Sequence, residues 1–438
     1  MITEVKDITS FKWATVVSTS LLSIKLDGDT TALAMVPDSL IDPISLSVGD
    51  RVRVELTQRK VVIHGKASDS YRLKYTSFIP LPMTAIFRPW DMAGWGIRQG
   101  APNSRYYDPA IPFWITKNVS GIVSIQGFAG SSVAYAAGAT LAQLPVGYRP
   151  STIRRFPFIV SDTRLTMEIG TDGVMKTLSD IPAASYVSFS NIVFHDVAQD
   201  LTWINITTLL NGFTALNQTT SPVSVAIDSF GFVWTRGILT VGATRTDGTS
   251  MFALPSVSYV AQLQRHFTAA SDGNAYAGVA GNGSSPTTSQ FMQFKAGTTG
   301  SYVSLDGIVW QPPALDSLFA GRNIGSGTVD LLGYQPFLNS WQNYDAVSFS
   351  PAGPTRRSDG LVIYQGLISL GVVATPAFYV PPTYRPLFRT AFVRTANALY
   401  ARTTIDPNPV AGGSGRLEVE TGATQWHSLD GLMFQSAQ

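Results

Sequence analysis

The stretch Gly360-Leu361-Val362-Ile363-Tyr364-Gln365-Gly366 decides how this chain is read, because it occurs in three versions. The earlier two are Gly121-Ile122-Val123-Ser124-Ile125-Gln126-Gly127 and Gly231-Phe232-Val233-Trp234-Thr235-Arg236-Gly237. The shared pattern is glycine, an apolar residue, valine, two variable residues, glutamine or arginine, and glycine. Five residues rich in β-branched and aromatic types between two glycines suit one strand bounded by turns.

Two further landmarks follow in the same order. Leu144-Pro145-Val146-Gly147-Tyr148-Arg149-Pro150 follows the first copy and Val380-Pro381-Pro382-Thr383-Tyr384-Arg385-Pro386 the third, while the second keeps only Leu254-Pro255. Each unit then closes alike, on Tyr186-Val187-Ser188-Phe189-Ser190-Asn191, Tyr302-Val303-Ser304-Leu305-Asp306-Gly307 and Trp426-His427-Ser428-Leu429-Asp430-Gly431, each followed by an apolar run. A period of roughly 110 to 130 residues is too long for a solenoid unit and fits whole duplicated domains. Glycine and proline punctuate the repeats every 8 to 12 residues or so, with no convincing long helix, which is the mark of a sandwich or barrel.

The chain of 438 residues is 45% hydrophobic and only 14% charged, so it is globular and takes its polarity largely from Ser, Thr, Asn and Gly. A net charge of +2 implies no polyanionic partner. With no cysteine, a disulfide framework or thiolate metal site is impossible. Met1-Ile2-Thr3-Glu4-Val5-Lys6-Asp7 lacks the basic and apolar regions of a signal peptide, and no apolar run is long enough to span a membrane, so membrane insertion is not expected.

Residues 1–68 read as a separate unit of short strands near Trp13–Val17, Leu21–Leu26, Thr31–Met35, Val52–Leu56 and Lys60–His64. Val52, Val54 and Leu56 alternate with Arg51, Arg53 and Glu55, giving one wet face. Five strands in so short a segment predict a small OB-like barrel. Such barrels often bind single-stranded nucleic acid, but this one has only Phe11 and Trp13 as aromatics, and its basic residues Arg51, Arg53, Arg59 and Lys60 are partly offset by acids. Attachment or assembly is therefore the preferred role, with no nucleic-acid partner. Residues 69–78 read as a connector, and 79–198, 199–312 and 313–438 as three tandem β-sandwich, jelly-roll-like repeats in series. The fold class predicted is all-β.

The segment from Ser20 to Asp29, continued by Leu46 to Leu56, resembles the N-terminal module of minor tail proteins from phages of Gram-positive actinobacteria. The repeats, with an early aromatic such as Trp341, the strand Gly360 to Gly366 and the Pro382–Pro386 turn, resemble C-terminal β-domains of phage tail fibres; the second repeat departs by lacking Tyr-Arg-Pro. The resemblance implies a virion tail component, made in the host cytoplasm and released by lysis. It would dock on other tail or baseplate proteins through its barrel and recognise host cell-wall glycan through the repeats. It also implies a homotrimer; the triplication allows a rival, one chain packing its repeats around a pseudo-threefold axis. A structural spacer or shell, and a polysaccharide-degrading tail spike, are the alternative functions.

The Pro-x-x-Tyr-Arg-Pro turns read as scaffold, with Tyr148 and Tyr384 plugging a core edge and Arg149 and Arg385 bridging loop carbonyls. Asp306-Gly307 and Asp430-Gly431 read as tight turns. Ligand contacts are expected in the variable inserts Arg98 to Pro112, Gly281 to Ser289 and Asp406 to Gly415, with Tyr106 and Tyr107 as carbohydrate-binding candidates. The tryptophans read mostly as core. The four histidines, His64, His195, His266 and His427, are scattered without metal-ligand spacing, and Gly-x-Ser-x-Gly is absent as a nucleophile elbow. No catalytic residue, metal or cofactor is expected, and the protein is not read as an enzyme.

Overall fold

The computed structural model describes residues 10–436 except 19–20, 41–47, 50, 58–59, 67–74, 81–87, 90–113, 132–133, 162, 184, 242–245, 262, 273–275, 280–290, 296–300, 313–336, 346–347, 387–388, 398 and 408–414. Among these residues every regular element is a strand or a three-residue 3-10 turn, so the fold is all-β. No helix among them is long and apolar enough to cross a membrane. The chain divides into two compact units, Met1–Lys74 and Tyr75–Gln438.

The first unit is the small OB-like barrel. Its strands β1 (Ser10–Ser18), β2 (Ser23–Leu26), β3 (Asp38–Ser39), β4 (Arg51–Leu56) and β5 (Val61–Lys66) lie in the order β2-β1-β4-β5-β3. The β3–β5 pair is parallel and the others antiparallel. Strand alternation sends Ala14, Val16, Ile24, Val52, Val54 and Ile63 into the core, and leaves Arg51 and Arg53 outside. Thr31–Met35, expected as a strand, forms bends instead; the ladder to β5 is taken by the short β3 further along. One backbone bond, Leu33 N to Ile24 O at 2.9 Å, reaches β2, which is too little for a ladder.

The second unit contains three lobes. The expected connector over 69–78 ends early, because Tyr75–Pro80 pairs with Trp114–Asn118 as an edge strand of the first lobe. In every lobe the glycine-framed strand is central to a small sheet: Ile122–Gln126, Val233–Arg236 and Leu361–Gln365. That sheet packs on a larger curled one. The larger sheet has seven strands in lobes one and three, and is split into three and four strands in lobe two. All six framing glycines have positive φ, between 74° and 113°. The requirement is steric as well at the second glycine, since a Cβ on Gly237 would lie 2.5 Å from Pro222 O. Gly237→Ala is expected to cost about 2–3 kcal/mol, read as a lower urea midpoint with an unchanged slope.

The framed strand is buried on both faces, and the two faces serve different cores. Val123 and Ile125 point into the first lobe's core, Val233 into the second's, and Val362 and Tyr364 into the third's. The alternate positions meet in a common hub. Ile122, Phe232 and Leu361 occupy equivalent places in the motif, as do Trp234 and Ile363, and Val193, Val309 and Met433 from the closing strands. Equivalent residues from all three lobes thus share one apolar cluster. Three sandwiches were expected in series, with a pseudo-threefold packing as the rival; the lobes close into a pseudo-threefold ring within one chain, where the largely apolar outer face of the motif is buried against its own copies.

Candidate binding sites

The ring is closed by one contact used three times. Ser304 Oγ donates to Arg155 O at 2.9 Å, Ser428 Oγ to His266 O at 2.5 Å, and Ser188 Oγ to Ala391 O at 2.9 Å. The closing motif of each lobe therefore grips the strand that follows the turn of another. At two junctions an ion pair is added. Asp306 accepts from Arg154 Nη1 (3.0 Å), Gly237 N (3.2 Å) and Arg155 N (2.8 Å). Asp430 accepts from Arg265 Nη1 (3.5 Å), Gly366 N (2.8 Å) and His266 N (2.9 Å). Burial pushes the Asp430 carboxyl up, against the pull of Arg265 and the two amides. At the third junction Ser190 replaces the aspartate and Thr390 the arginine, and Ile159, Ala391 and Val393 pack instead.

The sixth motif position crosses the same boundaries. Gln126 Nε2 donates to Gln435 O at 3.3 Å, and Arg236 Nη1 to Ser151 Oγ at 3.3 Å. Burial, with Arg154 nearby, lowers Arg236 to about 10. The aspartates expected as simple turn residues are thus also interlobe anchors. Their arginine partners carried no signal in the sequence; the recurring Ser-x-Asp was the only clue.

The scaffold reading of the Tyr-Arg-Pro turns agrees with the geometry. Tyr148 and Tyr384 are buried, and Arg149 Nε and Arg385 Nε each donate to the carbonyl five residues back, Leu144 O at 3.0 Å and Val380 O at 2.7 Å. Tyr106 and Tyr107, together with the whole of the first and second inserts, lie outside the described residues, as do 408–414 of the third.

Two surfaces bring together aromatic rings that the sequence did not connect. At the junction of lobes two and three, the buried His266 ring meets Phe349 at 5.1 Å and Trp426 at 5.2 Å, both edge-on. Phe349 in turn meets Tyr344 at 5.6 Å. Tyr344 is 41% exposed, Phe349 and Trp426 half-buried, and Gln342 and Gln425 lie exposed nearby in sequence. The backbone ties this patch across lobes through Gln264 N to Ser348 O at 3.0 Å. Rigid flat rings beside amide side chains can stack on the apolar face of a sugar and bond its hydroxyls. Trp234, Trp310 and Trp341 are core residues as expected, but Trp426 and Trp13 are not fully buried.

The second surface is the outer face of the barrel. Phe11 and Trp13 on β1 are 50% and 43% exposed. Arg53 lies over Phe11 with Cζ 4.7 Å from the ring centroid, and Arg51 over Trp13 at 5.7 Å. His64 meets Phe11 edge-on at 5.4 Å and bonds Glu55, and Arg51 pairs with Asp27. The register that sets β1 against β4 makes this arrangement, pairing Trp13 with Arg53 and Thr15 with Arg51. Among the described residues no three His, Asp or Glu side chains are grouped to hold a metal ion.

The chain matches no protein-family model, no curated protein and no solved structure.

Proposed function

We propose that the protein is an adhesion component of a phage tail, anchored by its barrel and binding host cell-wall polysaccharide through the three-lobed unit. The observation that carries this reading is the ring patch Tyr344–Phe349–His266–Trp426, held across two lobes of a locked scaffold. A stacking surface loses little entropy on binding when both supporting lobes are fixed. The arginine-covered aromatics of the barrel supply the contact for a tail partner, since exposed aromatic and arginine side chains are the types enriched in protein interfaces. The shared hub favours the single chain as the functional unit, doing within 47.1 kDa what a homotrimer does with three chains.

The test is co-sedimentation of the purified chain with actinobacterial cell walls, with the supernatant assayed for sugar. Binding without release is expected, and Trp426→Ala with Tyr344→Ala should weaken it about tenfold. Release of oligosaccharide would instead favour a degrading spike, and no binding to any wall a spacer. Sedimentation equilibrium should return the monomer mass; a stable trimer would sink the single-chain reading.

A further inference from the structure

The aromatic patch on lobe three continues into an apolar tip. Gln342 pairs with Ser369 across the short strands beside the patch, and the chain then turns through Leu370-Gly371-Val372. Leu370 is 62% and Val372 54% exposed. Gly371 lies against the Trp341 ring, where a Cβ would come within 1.9 Å of it. The tip is tied to the segment leading into Trp426, because Leu370 N donates to Thr424 O at 2.7 Å. On its other side Val372 N donates to Asn339 O at 3.2 Å.

Leu370 has a φ of 63°, in the left-handed region that an apolar side chain of this size rarely adopts. Asn339, Ser340 and Ala374 of the same corner also have positive φ. These are four of the seven such non-glycine residues among those described, so the strain is concentrated here. The architecture does not impose it. In lobe two the residue four places after the second motif glycine is Val241, which continues its strand, donates to Ser301 O at 2.8 Å and buries its side chain in the lobe's core. Leu370 stands at the same place after Gly366 and is exposed instead. Strain kept where a relaxed alternative exists points to a contact the fold itself does not use. We infer that Leu370 and Val372 form a methyl-accepting ledge beside the rings, and that the glycan bound there carries acetamido sugars; this rests on the polysaccharide reading of the patch. The rings cover the apolar face of a pyranose, and the exposed Gln342 and Gln425 side chains offer partners for an amide N–H and C=O. The two aliphatic side chains cover a methyl. An acetamido group presents that amide and that methyl together, and a plain hydroxyl presents neither.

The test is co-sedimentation of the full chain with actinobacterial walls that are untreated, chemically N-deacetylated, or deacetylated and then re-acetylated. Untreated and re-acetylated walls should be bound about tenfold more tightly than deacetylated ones. The double variant Leu370→Asn, Val372→Thr replaces the ledge with a residue that tolerates positive φ and with an isostere of valine. It should bind untreated walls about tenfold more weakly, discriminate between the three walls by less than about twofold, and keep its thermal midpoint within about 1 °C. Equal binding to all three walls that still falls in Trp426→Ala with Tyr344→Ala would overturn the ledge and leave the polysaccharide reading standing. Absence of binding to untreated walls would overturn both. A lower midpoint in the ledge variant would make the tip a structural element, and overturns the inference as well.

Discussion

Asp430→Ala is expected to destabilise the three-lobed unit by about 3–5 kcal/mol, the cost of removing one partner from a buried ion pair. The carboxylate accepts from Arg265 of lobe two and from the amides of His266 and Gly366. Alanine removes the carboxylate that the Arg265 guanidinium, 1% exposed, pairs with, and strips two backbone donors of their acceptor. The effect should appear as a fall in the urea midpoint. The double variant Arg265→Met, Asp430→Ala should recover part of the loss, because it no longer strands a charge; a coupling of roughly 1–3 kcal/mol is expected. If the single and double variants prove equally unstable, the pair is not what holds lobes two and three together. Ser190→Ala, at the junction that has no such pair, should cost far less.

Acidification should unfold the protein through its buried histidines. Burial lowers His195 to about 4, and His266 and His427 to about 3. His195 sits edge-on to Trp234 at 4.7 Å, and His427 Nε2 meets Thr403 Oγ1 at 2.6 Å. These rings are neutral in the folded chain, while in the unfolded chain each takes a proton near pH 6.5. Stability is therefore full above about pH 6.5 and falls as the pH drops below it, until the folded-state values are reached. Three such groups give a slope approaching 4 kcal/mol per pH unit around pH 5. Asp430 works the other way. Its raised value lets the folded state take a proton before the unfolded chain does, and this offsets up to about 1.4 kcal/mol per unit. A net loss of roughly 3 kcal/mol between pH 5.5 and 4.5 is expected from urea melts. His195→Phe, which keeps an aromatic ring against Trp234, should reduce that slope by about one proton. Stability that stays flat from pH 7 to 5 would contradict the buried neutral state of these rings.

The fold was legible where local chemistry is sufficient. The glycine pairs marked strand ends because positive φ is cheap only for glycine, and all six framing glycines adopt it. Val52 and Val54 alternating with Arg51 and Arg53 marked a strand with one wet face, and the buried tyrosines and carbonyl-bound arginines of the Tyr-Arg-Pro turns followed from turn chemistry. The candidate sites were not legible in the same way. Trp426 is far along the chain from the neighbouring Tyr344 and Phe349, and it meets Phe349 through His266, which comes from another lobe. Phe11 and Arg53 are 42 positions apart in the sequence and meet through the pairing of two strands.

The sequence by itself determined that the chain is all-β, that it carries a small barrel and three related units, and where the central strand of each unit lies. It did so because strand period, glycine conformation and turn composition are local properties. The tertiary structure alone decided that the units form a ring and not a string. The second motif position, Ile122, Phe232 and Leu361, reads as one more apolar residue in each copy, and nothing local distinguishes a side chain buried in its own lobe from one buried against its two counterparts. The same holds for Arg154 and Arg265, whose carboxylate partners lie on other lobes: an ion pair is a relation across space, and the spacing along the chain does not record it.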